Sequence, residues 1–270
     1  MTAQEKLTKK NYEQKLICVG LDSDINKIPP VLKNEPKPVL AFNKTIIEST
    51  SKYAAAYKLN FAFYEKAGAE GFELIEETIK LIPEDILVIA DAKRGDIGNT
   101  SQMYASAVYE YFKCDAVTIH PYMGYDSVAP FLEYKDKLNF VLALTSNNGA
   151  DDFEKLVLKD GTLVYQVVIN KVNQWNKSNN CGIVFGATQF EELSQNIKLF
   201  NNLPVLLPGV GAQGGDIAEV VKLFKANNRL NLLINSSRGI IYKDNSPKFA
   251  EAAENEIIKL NETVKNIQGH

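Results

Sequence analysis

The sequence has few of the residues that would indicate a secreted or metal-binding protein. Its 270 residues include three cysteines, two histidines and one tryptophan. The cysteines, Cys18, Cys114 and Cys181, are odd in number and widely spaced. This spacing excludes a disulfide framework and matches no zinc-ligand pattern. Because each cysteine lies in an apolar, strand-like run, we expect buried and reduced thiols.

Long apolar runs and an excess of basic residues are also missing. No stretch approaches the roughly 20 apolar residues of a membrane-spanning helix, and the polar residues 1–11 contain no apolar signal-peptide core. The net charge of −3 and the pI near 5.6 argue against a general nucleic-acid-binding protein. A few local Lys and Arg residues could still bind a small anion. We therefore expect a cytoplasmic protein with a small-molecule substrate and no nucleic-acid or membrane partner.

Short apolar runs recur along the chain, with helical periodicity between them. The runs are almost continuously hydrophobic, as expected of parallel strands covered on both faces. They are residues 17–21, 55–59, 86–90, 116–119, 140–144, 182–185, 205–207 and 230–234. The clearest helical patterns are 39–53, 72–82, 101–112, 163–176, 218–226 and 247–264.

Eight strand–helix repeats of roughly 34 residues predict a single-domain (β/α)₈ TIM barrel over residues 1–270. The alternative is a doubly wound open sheet. That fold usually has fewer strands, and the first turn here, residues 20–24, lacks a dinucleotide glycine fingerprint. The longest irregular insert is 146–161, which is rich in Asn, Gly and Asp. Loops of this length are often lids or binding loops.

A barrel of this type has its active site at the C-terminal ends of its strands. Polar residues follow most of the predicted strands: Asp22, Lys58, Asn60, Asp91, Lys93, His120, Thr145, Ser146, Pro208 and Arg238. Asp91 and Lys93 are two positions apart, so their side chains leave the strand on the same side. Alone, this pair would most simply be a salt bridge at the rim. With Asp96 and Lys58 added, the alternating charges favour catalysis.

A phosphate site is predicted at the loops after the seventh and eighth strands, a frequent position in this fold. Glycines in residues 209–215 allow backbone N–H groups to approach an anion, and the following helix adds partial positive charge. Arg238 offers a guanidinium fork that suits a phosphate. His120 is an acid–base candidate, but we expect it to line the rim or make a local hydrogen bond.

The decapeptide from Asp91 to Thr100 resembles the signature of the orotidine 5′-phosphate decarboxylases, in the longer bacterial subfamily called type 2. Weaker matches follow in the expected order over almost the whole chain, at residues 19–22, 57–65, 121–124, 208–214 and 235–238. The resemblance implies a ribulose-phosphate-binding barrel and a cofactor-free carboxy-lyase. Its reaction would convert orotidine 5′-phosphate to UMP, the last step of de novo pyrimidine biosynthesis.

The resemblance also implies roles for individual residues. Lys93 matches the general acid that protonates C6 of the pyrimidine, and Asp91, Asp96 and Lys58 complete an alternating charged array. Substrate contacts are implied for Asp22, Asn60, Thr100, Thr145, Ser146, Pro208, Gln213 and Arg238, the last two at the 5′-phosphate. A homodimer is implied as well, with Asp96, Ile97 and Thr100 reaching the neighbouring subunit's site.

Three other functions fit the sequence less well than this one. Enzymes similar to 3-keto-gulonate 6-phosphate decarboxylase and hexulose-phosphate synthase share the Asp-x-Lys-x-x-Asp element but use Mg²⁺. Their metal is held partly by an acidic residue at the end of the second strand, where this chain has Lys58, a charge of the wrong sign for a metal ligand. A catalytically inactive nucleotide-binding barrel fits less well, because all four charged residues are present. A fused bifunctional synthase is not expected, since one barrel uses the 270 residues.

Overall fold

The computed structural model describes residues 1–209 and 216–269. Eight parallel strands close into a barrel in which each strand pairs with the next and the last pairs with the first. They are β1 (Ile17–Gly20), β2 (Ala56–Asn60), β3 (Leu87–Arg94), β4 (Ala116–Ile119), β5 (Leu138–Leu144), β6 (Cys181–Phe185), β7 (Val205–Pro208) and β8 (Leu232–Ser236). The predicted (β/α)₈ barrel is confirmed, and every predicted strand overlaps an observed one.

Helices surround the barrel. They are α1 (Ala3–Tyr12), α2 (Pro38–Thr50), α3 (Ala62–Glu65), α4 (Ala69–Lys80), α5 (Gly98–Ser106), α6 (Tyr125–Leu132), α7 (Ala150–Phe153), α8 (Val164–Trp175), α9 (Phe190–Asn196), α10 (Ile217–Ala226), α11 (Arg238–Ile241) and α12 (Phe249–Gln268). Short 3₁₀ turns span Pro30–Leu32 and Ile197–Phe200, and a π-helical turn, Ala107–Tyr111, follows α5. Within the described ranges, no helix combines the length and apolar character needed to cross a membrane.

The strands are apolar on both faces because they are buried on both faces. In β4, Val117 and Ile119 pack outward into the large core beneath the helices, whereas Ala116 belongs to a smaller cluster inside the barrel. Phe140 belongs to that inner cluster. Gly182 makes room for its ring, since a Cβ there would lie 2.7 Å from Phe140 Cδ1. The three cysteines are buried with free thiols, as predicted.

Helix α1 closes the N-terminal end of the barrel and is not predicted by the sequence pattern. Thr2 and Glu5 form a capping box at its start, which satisfies two otherwise unpaired backbone donors. Ala3 and Leu7 join the inner cluster of the barrel. Lys6 Nζ lies 2.9 Å from both carboxylate oxygens of Asp115. Helix α1 thus covers this end of the barrel, and the polar strand ends lie at the opposite face.

A bulge interrupts the pairing of β3 with β4. The register runs from Ala90↔Val117 directly to Arg94↔Ile119, so β3 advances four residues while β4 advances two. Lys93 has φ = 46° at this point, a left-handed conformation that is uncommon for residues other than glycine. Extra residues of this kind re-aim side chains and are frequent beside active sites.

Candidate active site

A cavity of about 280 Å³ opens at the C-terminal ends of the strands. Nine of the twelve residues predicted for the site line it, and they come from six of the eight strands or the loops that follow them. They are Asp22, Lys58, Asn60, Asp91, Lys93, Thr145, Ser146, Pro208 and Arg238. Of the other three, Asp96 and Thr100 lie elsewhere, and Gln213 lies outside the described residues.

Three charged groups form a continuous array at the base of the cavity. Lys58 Nζ lies 2.7 Å from Asp91 Oδ2, and Lys93 Nζ lies 2.6 Å from Asp91 Oδ1. The other neighbour of Lys58 is Asp22, whose Oδ1 is 3.7 Å from Nζ. The residues Lys58 and Asp91 are only 4% and 8% exposed. The array is therefore a buried network and not the simple rim salt bridge that a lone Asp-x-Lys would suggest.

The array holds Asp91 and Lys58 in their charged forms. Burial alone raises the pKa of Asp91, but the positive charges of Lys58 and Lys93 outweigh it, so the pKa stays well below its usual range. Burial lowers the pKa of Lys58, but the charges of Asp91 and Asp22 prevail and raise it above its usual value. Asp91 is thus a permanent carboxylate beside Lys93. The Lys93 side chain is half exposed, so its ammonium can reach a bound molecule.

Thr118 also lines the cavity, and the sequence interpretation missed it. Its Oγ1 donates to Asp91 Oδ1 at 2.9 Å and accepts from the Lys93 backbone N–H at 3.1 Å. Thr118 follows Val117 and precedes Ile119, both packed outward, so strand alternation directs its side chain inward. That alternation in β4 was the available signal.

The wall after β5 is held by Glu154. Its carboxylate accepts hydrogen bonds from the Thr145 backbone N–H at 2.6 Å and from Thr145 Oγ1 at 2.9 Å. Glu154 lies in the insert 146–161, which is more ordered than its composition suggests. It contains α7, and Val157 forms a β-bridge with Leu163. The insert thus supports a cavity residue directly.

The wall formed by β1 and β8 offers buried oxygen atoms to a ligand. Among the described residues, Asp22 Oδ1, Asn235 Oδ1 and Ser237 Oγ find no hydrogen-bond partner. Buried polar atoms are nearly always paired, so these three are suited to a bound polar molecule. Gly20 allows β1 to approach, because a Cβ there would lie 2.7 Å from Ser237 Cβ. Asn235 and Ser237 line the cavity without having been singled out as site residues.

Asp96 and Thr100 are not among the residues that line the cavity of their own chain. Asp96 Oδ1 accepts from the Ile97 backbone N–H at 2.8 Å, and Thr100 is exposed in the first turn of α5. His120 packs against Gly95, where a Cβ would lie 2.3 Å from its Nε2. It is not among the residues that line the cavity. That His120 lines the rim or makes a local hydrogen bond stays a prediction.

Comparison with known proteins identifies the family. Residues 15–253 match the model of the orotidine 5′-phosphate decarboxylase / HUMPS family. The chain belongs to this family. A curated relative from Porphyromonas gingivalis, orotidine 5′-phosphate decarboxylase, is 46% identical over 259 residues, covering 95% of this chain and 94% of the relative.

Solved structures agree with this assignment. The Leishmania donovani OMP decarboxylase is 33% identical with a TM-score of 0.81, covering 97% of this chain and 99% of that one. The Leishmania donovani UMP synthase is 36% identical with a TM-score of 0.84, and the match spans 57% of that longer chain. In this chain, Lys58 is the middle residue of β2 and places its buried ammonium at the base of the cavity. Lys58 is also the residue whose charge distinguishes the predicted decarboxylase from the Mg²⁺-dependent enzymes.

Proposed function

We propose that this chain decarboxylates orotidine 5′-phosphate to UMP, the last step of pyrimidine biosynthesis, with Lys93 as the proton donor to C6. The observation that carries this proposal is the Lys58–Asp91–Lys93 array. It holds an ammonium, half exposed, at the base of a cavity large enough for part of a nucleotide. The carboxy-lyase activity follows from the family and its curated relatives.

The decarboxylation needs a positive charge beside C6 of the pyrimidine. The bond from C6 to the carboxylate breaks, its electron pair stays on C6, and carbon dioxide leaves. The resulting carbanion has no adjacent group into which its charge can delocalise. The Lys93 ammonium stabilises this charge and then transfers its proton to C6. Asp91 positions the Lys93 side chain, because its oxygen lies 2.6 Å from Nζ.

The remaining cavity residues divide according to the parts of the nucleotide. Arg238, together with Gln213, binds the 5′-phosphate through charge-assisted hydrogen bonds. Asp22 and Asn60 bind the ribose hydroxyls, which is supported by the unpaired Asp22 Oδ1. The pyrimidine ring is contacted by Thr145, Ser146 and Pro208. The phosphate lies far from C6, but the binding energy of its contacts can still contribute to stabilising the transition state.

The active enzyme is a homodimer in this proposal, and residues 1–270 form one catalytic domain. Asp96 and Thr100 complete the site of the partner subunit. This is supported by their position outside their own cavity and by the apolar surface beside them. Ile97, directly before α5, and Met103, within it, are large apolar side chains that are 59% and 63% exposed, and burying them in an interface would be favourable.

The Mg²⁺-dependent sugar-phosphate enzymes of the same family are the alternative. Lys58 argues against them, because its ammonium already neutralises Asp91 at the place where a cation would bind. The two functions differ in substrate and in metal requirement. A single assay can therefore separate them.

The test is a spectrophotometric assay with orotidine 5′-phosphate, with and without EDTA. We expect turnover that the chelator does not change, and a strict Mg²⁺ requirement would refute the proposal. Lys93→Ala should reduce kcat by at least about 10²–10⁴-fold, the usual contribution of general acid catalysis, and should still bind UMP. Lys44→Ala, which removes an exposed lysine on α2, is the matched control and should retain full activity.

A further inference from the structure

The hydroxyl group of Thr118 joins the side chain of one active-site residue to the backbone of another. Its proton is donated to Asp91 Oδ1, and its lone pair accepts from the Lys93 N–H. The same Asp91 oxygen contacts Lys93 Nζ at 2.6 Å. Thr118 is only 2% exposed, so bulk water does not compete for either bond.

The β3 bulge explains why a side chain is needed here. Between Ala90↔Val117 and Arg94↔Ile119 the regular backbone pairing of β3 with β4 stops. The Lys93 N–H then lacks a backbone partner on β4, and a buried unpaired N–H is costly. Thr118 stands opposite the bulge in β4 and supplies its hydroxyl in place of a carbonyl oxygen. This bond also supports the left-handed conformation of Lys93, whose φ is 46°.

The second bond fixes the Asp91 carboxylate. Oδ2 accepts from Lys58 Nζ, while Oδ1 accepts from both Lys93 Nζ and Thr118 Oγ1. With three donors, the carboxylate has one orientation in which every bond is made. Without Thr118, rotation about the Asp91 side chain is limited only by two flexible lysines. The tip of Lys93 would then lose its defined position over the cavity.

We propose that Thr118 is a positioning residue for the decarboxylation, acting through the Asp91 carboxylate and the Lys93 backbone. This inference rests on the proposed function of the site. Thr118 does not transfer a proton to the substrate in this scheme. It determines where the Lys93 ammonium lies, and even a small displacement of a catalytic group lowers the reaction rate strongly.

Thr118→Val tests this directly, because it keeps the branched shape and removes only the hydroxyl. A hydrogen bond to a charged group corresponds to about ten- to a hundredfold in rate. We expect kcat to fall by that factor, while the Kd of UMP, which has no C6 carboxylate, changes less than about threefold. Thr118→Ser restores the hydroxyl and should recover kcat to within about threefold. Thr78→Val, at another buried threonine whose hydroxyl is hydrogen-bonded by Asn43, controls for general destabilisation and should leave kcat unchanged.

Three results would overturn the inference. They are a kcat of Thr118→Val within threefold of the parent, a parallel loss of kcat and UMP affinity, and full additivity with Asp91→Asn in a double-mutant cycle. Failure of the proposed function is distinguishable, since the parent protein would then not turn over orotidine 5′-phosphate. In that case the Lys93 amide proton, observed by NMR with ¹⁵N-lysine labelling, still reports the bond. Its signal should shift in Thr118→Val and return in Thr118→Ser, and an unchanged signal would refute the bond.

Discussion

Replacing Asp91 by asparagine tests whether the buried array contributes to stability as well as to catalysis. Asparagine keeps the shape of the side chain and removes its charge. Lys58, which is 4% exposed, then loses the carboxylate at 2.7 Å and keeps only Asp22, at 3.7 Å. Leaving an ammonium buried and poorly paired is one of the few effects of a single substitution that destabilise a protein strongly.

The size of the effect follows from the burial of the pair. Breaking a buried ion pair by removing one partner typically costs about 3–5 kcal/mol. Asp22 compensates in part for Lys58, so we expect the lower end, about 3 kcal/mol. For a chain of this size, about 2–4 °C of Tm corresponds to each kcal/mol, which predicts a loss of about 6–12 °C.

The pH dependence gives a second and independent signature. In the parent protein the pKa of Lys58 is raised, so its stabilising contribution is complete below the unfolded-state pKa, about 10.4. In Asp91→Asn, burial dominates and the pKa of Lys58 falls, so the variant gains stability as the pH rises towards 10. The pKa of Asp91 is depressed, and its contribution is lost only as the pH falls below about 4. The Tm difference should therefore be largest near pH 7 and smaller near pH 9.5.

Thermal unfolding followed by circular dichroism at pH 7 and pH 9.5 measures both effects. Glu76→Gln is the control, because Lys80 Nζ lies 2.6 Å from Glu76 but both side chains are exposed. Solvent screens such a pair, and we expect an unchanged Tm. An Asp91→Asn variant that melts with the parent protein, or one whose Tm deficit grows with pH, would show that this account of the array is wrong.

Two further changes test the supports of the site. Gly95→Ala places a Cβ against the His120 ring, which should cost about 1–3 kcal/mol of overpacking. The Tm should recover in Gly95→Ala/His120→Ala, and a double variant that stays unstable would place the strain elsewhere. Glu154→Ala removes the charged acceptor of both Thr145 donors. We expect KM for orotidine 5′-phosphate to rise about tenfold, with kcat within threefold; steady-state kinetics that show an unchanged KM would contradict this role.

The fold could be predicted because its signal is local. Strands covered on both faces are apolar throughout, so each of the eight appears as a short hydrophobic run without knowledge of its neighbours. Helix α1 lacks this signal. Its buried polar residues Lys10 and Asn11 donate hydrogen bonds to Asp85 and to the Leu230 carbonyl, partners that lie far away in the sequence. The amphipathic pattern of α1 is therefore weak, although the helix closes the barrel.

The charged residues of the site could be predicted for a different reason. Strand ends of a (β/α)₈ barrel meet on one face, so counting strands brings together Lys58, Asp91 and Arg238 without any coordinates. Thr118 could not be found in this way. Threonine is common in strands, and only the register shift of β3 against β4 gives its hydroxyl two partners. A bulge depends on pairing between strands and leaves no mark in either sequence alone.

The decapeptide Asp91–Thr100 is divided in space by the same bulge. Asp91 and Lys93 line the cavity, whereas Ala92 between them packs into the core beneath the helices. Arg94 then forms an ion pair with Glu65, and Gly95 packs flat against His120, so the chain leaves the barrel before Asp96. Of the four residues of the predicted alternating array, Lys58, Asp91 and Lys93 line the cavity of their own chain, and Asp96 does not. Under the proposed homodimer, the fourth charge comes from the partner's Asp96. Activity then depends on assembly. Dilution below the Kd of the dimer should therefore abolish turnover while each barrel stays folded.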